Sequence, residues 1–166
     1  MVSLITATTA VRTLSETELV DLVRRVAADR SCWEQHVDFT GAERHWAKIE
    51  VPEGVDVWVI SWQTFQSTDL HSHGDATAAF AAVQGTITEI RVDALGRLMP
   101  RKFSPGVVQV VRPGEIHDVR NEVVEPAVTI HAYSPRLTEM YYYNWHNRTV
   151  TLDRIERSDG AQAREW

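Results

Sequence analysis

Cysteine is almost missing: Cys32 stands alone among 166 residues. One thiol cannot build an internal disulfide framework, which excludes a small stapled fold and fits a reducing compartment. Long apolar runs are missing as well. No uninterrupted stretch approaches the roughly 18 residues that span a bilayer as a helix, and the opening MVSLITATTAV has no basic segment ahead of a long apolar one. The expectation is a cytoplasmic protein with no membrane association. Clustered positive charge is the third absence. With 17 Lys and Arg against 23 Asp and Glu, a net charge of -6 and no basic run, a nucleic-acid partner is not expected, because phosphate-backbone binders carry a basic stripe. Internal repeats and low-complexity tracts are also lacking. What remains is an ordinary composition, 43% hydrophobic, in a chain long enough to bury a core as one domain.

Residues 1–12 carry only small and β-branched signals and read as a short lead or a loose end. Ser15 and Glu18 then form a capping box, Leu14 and Leu19 are placed as a hydrophobic staple, and Leu19, Leu22, Val23 and Val26 recur at helical spacing. This predicts an amphipathic helix, with a second helical or irregular piece over 32–36. After Gly41 the pattern turns to alternation. Segments 46–51, 55–62, 79–83, 86–92, 107–111 and 127–133 are short, β-branched and aromatic. They are separated by turn signals such as Pro52-Glu53-Gly54, Gln84-Gly85, Pro105-Gly106 and Pro113-Gly114. Many short strands at this spacing predict an all-β antiparallel sandwich or barrel. The division expected is an N-terminal helical segment at 1–43 packing on a barrel at 44–157, with a flexible tail at 158–166. Tyr141-Tyr142-Tyr143 and Trp145 read as a final strand over or beside the barrel mouth.

The chain turns on His71-Ser72-His73. In a strand, residues i and i+2 share a face, so both imidazoles can reach one point. Such a point suits Fe, Ni, Cu or Zn, although two histidines so spaced, taken alone, also occur as polar rim residues. His117, after the apolar run 107–111 and the turn Arg112-Pro113-Gly114, is the candidate for a third donor.

Gly85 follows the HxH pair by twelve residues, and the run from Pro113 through His117 to Asn121 supplies a third histidine after a Pro-Gly turn. This spacing resembles the two motifs of the cupin superfamily. The glutamate ligand that its first motif usually carries is replaced by Ala78, so the resemblance points to the three-histidine branch and, within it, to the cysteine dioxygenase family of thiol dioxygenases. Trp62, nine residues before His71, and the block His131-Ala132-Tyr133-Ser134-Pro135, fourteen after His117, are similar to further family landmarks. Arg44, eighteen before Trp62, falls within one residue of the family's carboxylate-binding arginine. Together these motifs cover residues 44–135. Two departures stand out. The family's HDH reads His71-Ser72-His73, and Ala78 occupies the position of the cysteine that animal members crosslink to a tyrosine, so no such link to Tyr133 is possible.

The resemblance implies a cupin barrel with Fe(II) held by His71, His73 and His117, O2 as co-substrate, and oxidation of L-cysteine to its sulfinate. Ni, Mn or Zn remain open as the metal. Three neutral imidazoles leave a divalent ion its full charge and three positions for substrate and O2, which suits a bidentate thiolate. Arg44 would clamp the substrate carboxylate. Tyr133 would place its phenol over the reacting atoms, and His131 would orient that phenol by a hydrogen bond. Trp58 and Trp62 read as core, and His36, His45 and His146 as surface residues. The expected assembly is a monomer or small homo-oligomer. Three alternatives stay open: another small thiol such as 3-mercaptopropionate, a metal-dependent cupin of isomerase or C-C cleaving chemistry, and a non-catalytic small-ligand binder.

Overall fold

The computed structural model describes residues 13–53 and 55–157; residues 1–12, the expected turn glycine Gly54 and the expected tail at 158–166 lie outside the described residues. Ser15 opens helix α1 (Glu16–Ala28) through the expected capping box. Its side chain accepts from the Glu18 N–H while Glu18 returns to the Ser15 N–H, and Leu19, Leu22, Val23 and Val26 are the buried positions. A single turn, α2 (Arg30–Trp33), and a 3-10 turn (Glu34–His36) follow. No helix among the described residues is long and apolar enough to cross a membrane.

The remainder is β-structure. Strands β1 (His45–Ile49), β2 (Asp56–Trp62), β4 (Thr77–Gln84), β7 (Val108–Val111) and β9 (Ala127–Ser134) make a five-stranded antiparallel sheet in the order β1-β2-β9-β4-β7. Strands β3 (His71–Ser72), β5 (Ile87–Val92), β6 (Leu98–Phe103), β8 (His117–Arg120), β10 (Glu139–His146) and β11 (Thr149–Arg157) make a six-stranded sheet in the order β11-β10-β3-β8-β5-β6. The all-β jelly-roll architecture with an N-terminal amphipathic helix is therefore the observed one.

Period-two alternation divides the side chains of the five-stranded sheet between two cores. Val57 and Val59 of β2, Ala79 and Ala81 of β4, and Val128, Ile130 and Ala132 of β9 face α1 and pack with Leu19, Leu22 and Val23. The alanines allow the helix to sit close. Their alternates, Trp58, Ile60, Trp62, Ala78, Phe80 and Tyr133, enter the interior between the sheets with Ile87, Phe103 and Val119. Burial on both faces explains why β2, β4 and β9 read as continuous apolar runs rather than as alternating strands. Leu19 and Val23 are completely buried, which corresponds to about 1.5–3 kcal/mol of transfer free energy for each side chain. Gly85 ends β4 at φ +72, and a Cβ there would stand 2.6 Å from the Pro126 carbonyl oxygen, so the turn can close on β9 only with glycine.

Two strands differ from the sequence expectation. β6 lies at one edge of its sheet, where Pro100, Arg101 and Lys102 are exposed; an edge tolerates proline and uses charge to discourage further pairing. β11 is the opposite edge, so β10, expected as the last strand, is instead the first arm of a hairpin. Trp145 closes that hairpin onto the turn before β6 by donating its indole N–H to the Gly96 carbonyl at 2.8 Å.

Candidate metal centre

Strand β3 is two residues long and wedged between β10 and β8, with His71 paired to Tyr142 on one side and to His117 on the other. Cross-strand partners share a face, and His73 lies two residues beyond His71, so all three imidazoles enter the interior. Ring centroids are 4.5 Å apart for His71 and His117, 4.9 Å for His71 and His73, and 5.1 Å for His73 and His117. The potential donor atoms all lie within 4.8 Å of one another, and Nε2 of His73 stands 3.4 Å from Nε2 of His117. Ring nitrogens sharing one transition-metal ion at about 2.1 Å are separated by roughly 3–3.4 Å.

Electrostatics favour the ligand form. Burial pushes the His71 pKa down to about 4 and those of His73 and His117 well below the ordinary value, so the rings are neutral at physiological pH. The outer nitrogens settle the tautomers of two of them. His71 Nδ1–H donates to the Asp69 carbonyl at 2.7 Å, an atom that can only accept, and His117 Nδ1–H donates to Glu89 Oε1 at 3.0 Å. Each therefore presents an Nε2 lone pair inward. The 3.4 Å gap between His73 and His117 admits a proton or a cation, and the donor set fits a transition-metal ion. His73 Nδ1 is buried and without a hydrogen-bond partner. Ser72, between the two histidines, points away and bonds the Tyr143 hydroxyl at 3.1 Å, which joins β3 to β10.

The five-stranded sheet forms the opposite wall. A cavity of about 30 Å³ beside His71 is lined by Arg44, Trp58, His131, Tyr133 and Met140, among others. A more open mouth of about 180 Å³, bordered by Arg44, Asp69, Tyr142 and Arg154, shares Arg44, Thr68 and Met140 with it. Arg44, immediately before β1, turns inward: its guanidinium lies 5.1 Å from the Trp62 ring centroid and donates to the Ser67 carbonyl at 2.6 Å. Burial raises the Tyr133 pKa, so its hydroxyl remains a neutral donor. Tyr133 lies directly across from Ala78 in the β4–β9 pairing, and its ring is 5.1 Å from that of His73.

His131 is held differently from the expected arrangement. Its ring stacks on Phe80, with centroids 5.0 Å apart and planes 5° from parallel. Nε2 is hydrogen-bonded to the Thr129 hydroxyl at 2.8 Å, which also accepts the Trp62 indole N–H at 2.8 Å. The His131 and Tyr133 rings stand 6.5 Å apart, and the partner that Nε2 takes is the Thr129 hydroxyl rather than that of Tyr133. Burial pushes the His131 pKa down to about 3. Trp62 is core, as expected, whereas Trp58 also lines the cavity.

Sequence reasoning missed two contributors: Asp69, through its carbonyl, and Glu89; Tyr142 borders the mouth, where the tyrosine-rich strand was expected. Glu89 had a signal, since period two places it on the same strand face as the fully buried Ile87. A glutamate in register with a core isoleucine is unusual enough to mark an interior role.

A sequence model of the family described as cysteine dioxygenase type I matches residues 3–146. A search of curated proteins by sequence found no match. Among solved structures, the fold is similar to a double-stranded β-helix protein from Klebsiella pneumoniae, at a TM-score of 0.57 and 15% identity over 66% of this chain and 86% of that one. It is also similar to TT1209 from Thermus thermophilus, at a TM-score of 0.55 and 17% identity over 62% and 93% of the two chains. An oxalate oxidase solved with glycolate gives a TM-score of 0.55 and 16% identity over 70% and 63%. At these identities the likeness concerns the fold.

Proposed function

The chain belongs to the cysteine dioxygenase type I family, and from that premise we propose that it is a non-haem Fe(II) thiol dioxygenase converting L-cysteine to cysteine sulfinate with O2. The observation that carries the reading is the cluster of three buried, neutral imidazoles with no carboxylate among its donors, set against a cavity whose opposite wall holds Arg44. His71, His73 and His117 would hold the iron, which would supply the redox chemistry between the thiol and O2.

The chain's own residues do the rest. Arg44 reaches the cavity from the mouth side, where two charge-assisted hydrogen bonds can hold the carboxylate of an entering amino acid. Tyr133 presents a phenol that stays protonated, a hydrogen-bond donor between Arg44 and His73. Trp46, Trp58, Ile60, Leu137 and Met140 line the remaining surface; they exclude water and strengthen each polar contact made inside.

One observation favours a second substrate. The residues lining the inner cavity include no carboxylate, so an ammonium group finds no protein counter-charge there, and 3-mercaptopropionate would fit the same arginine without needing one. The test is O2 uptake by anaerobically Fe(II)-loaded protein offered L-cysteine, cysteamine and 3-mercaptopropionate in parallel, with the sulfinate identified by mass spectrometry. Uptake with L-cysteine alone supports the main reading, uptake with 3-mercaptopropionate alone the second, and no uptake from iron-replete protein removes both.

Two substitutions sharpen the test. Arg44→Gln is expected to raise KM for L-cysteine about 10- to 100-fold, the equivalent of losing a charged hydrogen bond, at unchanged metal content. Tyr133→Phe is expected to keep the metal and to lower kcat by about 10- to 100-fold through loss of one hydroxyl donor to a charged group. Steady-state kinetics beside metal analysis checks both, and a Tyr133→Phe variant with wild-type kcat would remove Tyr133 from the chemistry.

A further inference from the structure

Glu89 is completely buried. Burying a carboxylate is expensive, and an apolar residue of similar volume usually serves stability as well or better. Arg91 offsets part of that expense, with Nε 3.0 Å from Glu89 Oε1. Arg91 is in turn anchored by the Val110 carbonyl at 2.6 Å and by Glu115 at 3.3 Å. The same Glu89 oxygen faces Nδ1 of His117 at 3.0 Å. The register explains the meeting: Arg91 of β5 lies directly across from His117 of β8, and Glu89 across from Val119, so both charged residues share the inward face with the imidazole.

The three rings are therefore backed unequally. His117 leans on a carboxylate, His71 on a neutral carbonyl, and His73 Nδ1 on no hydrogen-bond partner. A carboxylate behind an imidazole fixes the ring and its tautomer and makes the inward nitrogen a stronger donor. We propose that Glu89 is a positioning residue that makes His117 the strongest of the three donors and supplies, from one bond further out, the negative charge that the donor set itself lacks. This rests on the reading of His71, His73 and His117 as metal ligands, and not on the identity of the substrate.

The experiment compares wild type with Glu89→Gln and Glu89→Asp by Co(II) and Fe(II) titration, the Co(II) ligand-field spectrum and the Fe(III)/Fe(II) potential. Thermal melting of the metal-free proteins reports any change of fold. Gln preserves the shape and can still accept the Nδ1 hydrogen but carries no charge. It is expected to weaken both metals about 10- to 100-fold, shift the Co(II) spectrum and raise the iron potential. Asp keeps the charge but withdraws it by one methylene, and should fall between the two. If the Gln variant does not fold, Asp decides alone, since a retracted carboxylate with wild-type affinity and potential would mean that contact with Nδ1 is irrelevant.

A Gln variant with altered melting but unchanged affinity, spectrum and potential would overturn the proposal, leaving Glu89 as packing. Because the readouts need no thiol turnover, the two readings separate. A wild-type protein inert to every thiol but sensitive to Glu89→Gln loses the dioxygenase and keeps Glu89; the reverse pattern does the opposite.

Discussion

His117→Ala is expected to leave the protein nearly metal-free after desalting, where wild type retains about one ion per chain. The reasoning is one of shares. Complete sites in small proteins bind divalent zinc with about 10–16 kcal/mol, so each of three or four ligands carries roughly 3 kcal/mol, and removing one lowers affinity by about 100-fold or more. His117 should exceed that share, because it contacts both His73 and Glu89 and its loss leaves the Glu89 carboxylate facing an empty space. His117→Gln preserves most of the side-chain volume without the ring nitrogen, and so separates lost ligation from lost packing. Metal analysis and calorimetric titration give the answer. Full occupancy in both variants would mean that the three-imidazole cluster is not the metal site.

Acid should unfold the metal-free protein unusually early. Four histidines, His71, His73, His117 and His131, are each at most 4% exposed, and burial lowers the pKa of all four, to about 4 for His71 and about 3 for His131. In the unfolded chain their pKa values return to roughly 6.5. Folded values below unfolded ones mean that the unfolded state takes up protons first. Stability is therefore complete above about pH 7 and falls as the pH descends from 6.5 through 4. Four such groups give at the steepest about 5 kcal/mol per pH unit, against a total stability of about 5–15 kcal/mol for a typical domain. Glu89 and Asp118, whose pKa values burial raises, protonate early in the folded state and offset part of the loss. Urea melts in the presence of a chelator between pH 5 and 8 should show the slope, and a flat profile would mean that the buried rings are not held neutral. A bound metal ion competes with protons for the same nitrogens, so loading should move the decline to lower pH.

Much of this centre is legible in the sequence, and where it is not the reasons are physical. The spacing of His71 and His73 works because a strand repeats every two residues, whichever strands flank it. Arg44 could be proposed by position, but its inward turn depends on the Trp62 ring and the Ser67 carbonyl, both of which reach it only through the fold. Strands β6 and β11 escaped because, unlike the edge strands β1 and β7, they are largely exposed and carry polar sequences such as Arg101-Lys102. The expected His131–Tyr133 hydrogen bond followed from their shared strand face. The ring instead turns to Thr129, a residue of the same face that no motif singles out. Glu89 is the sharpest case, since its partner lies 28 positions away and meets it only once β5 and β8 pair.

The alignment of Ala78 with Tyr133 has a consequence for the chemical uniformity of the protein. A cysteine facing that tyrosine could be joined to it by oxidation, so that the cavity wall would exist in two chemical forms. A methyl group cannot be altered in this way. At this position every copy should therefore be chemically alike, with no crosslinked and uncrosslinked fractions to separate.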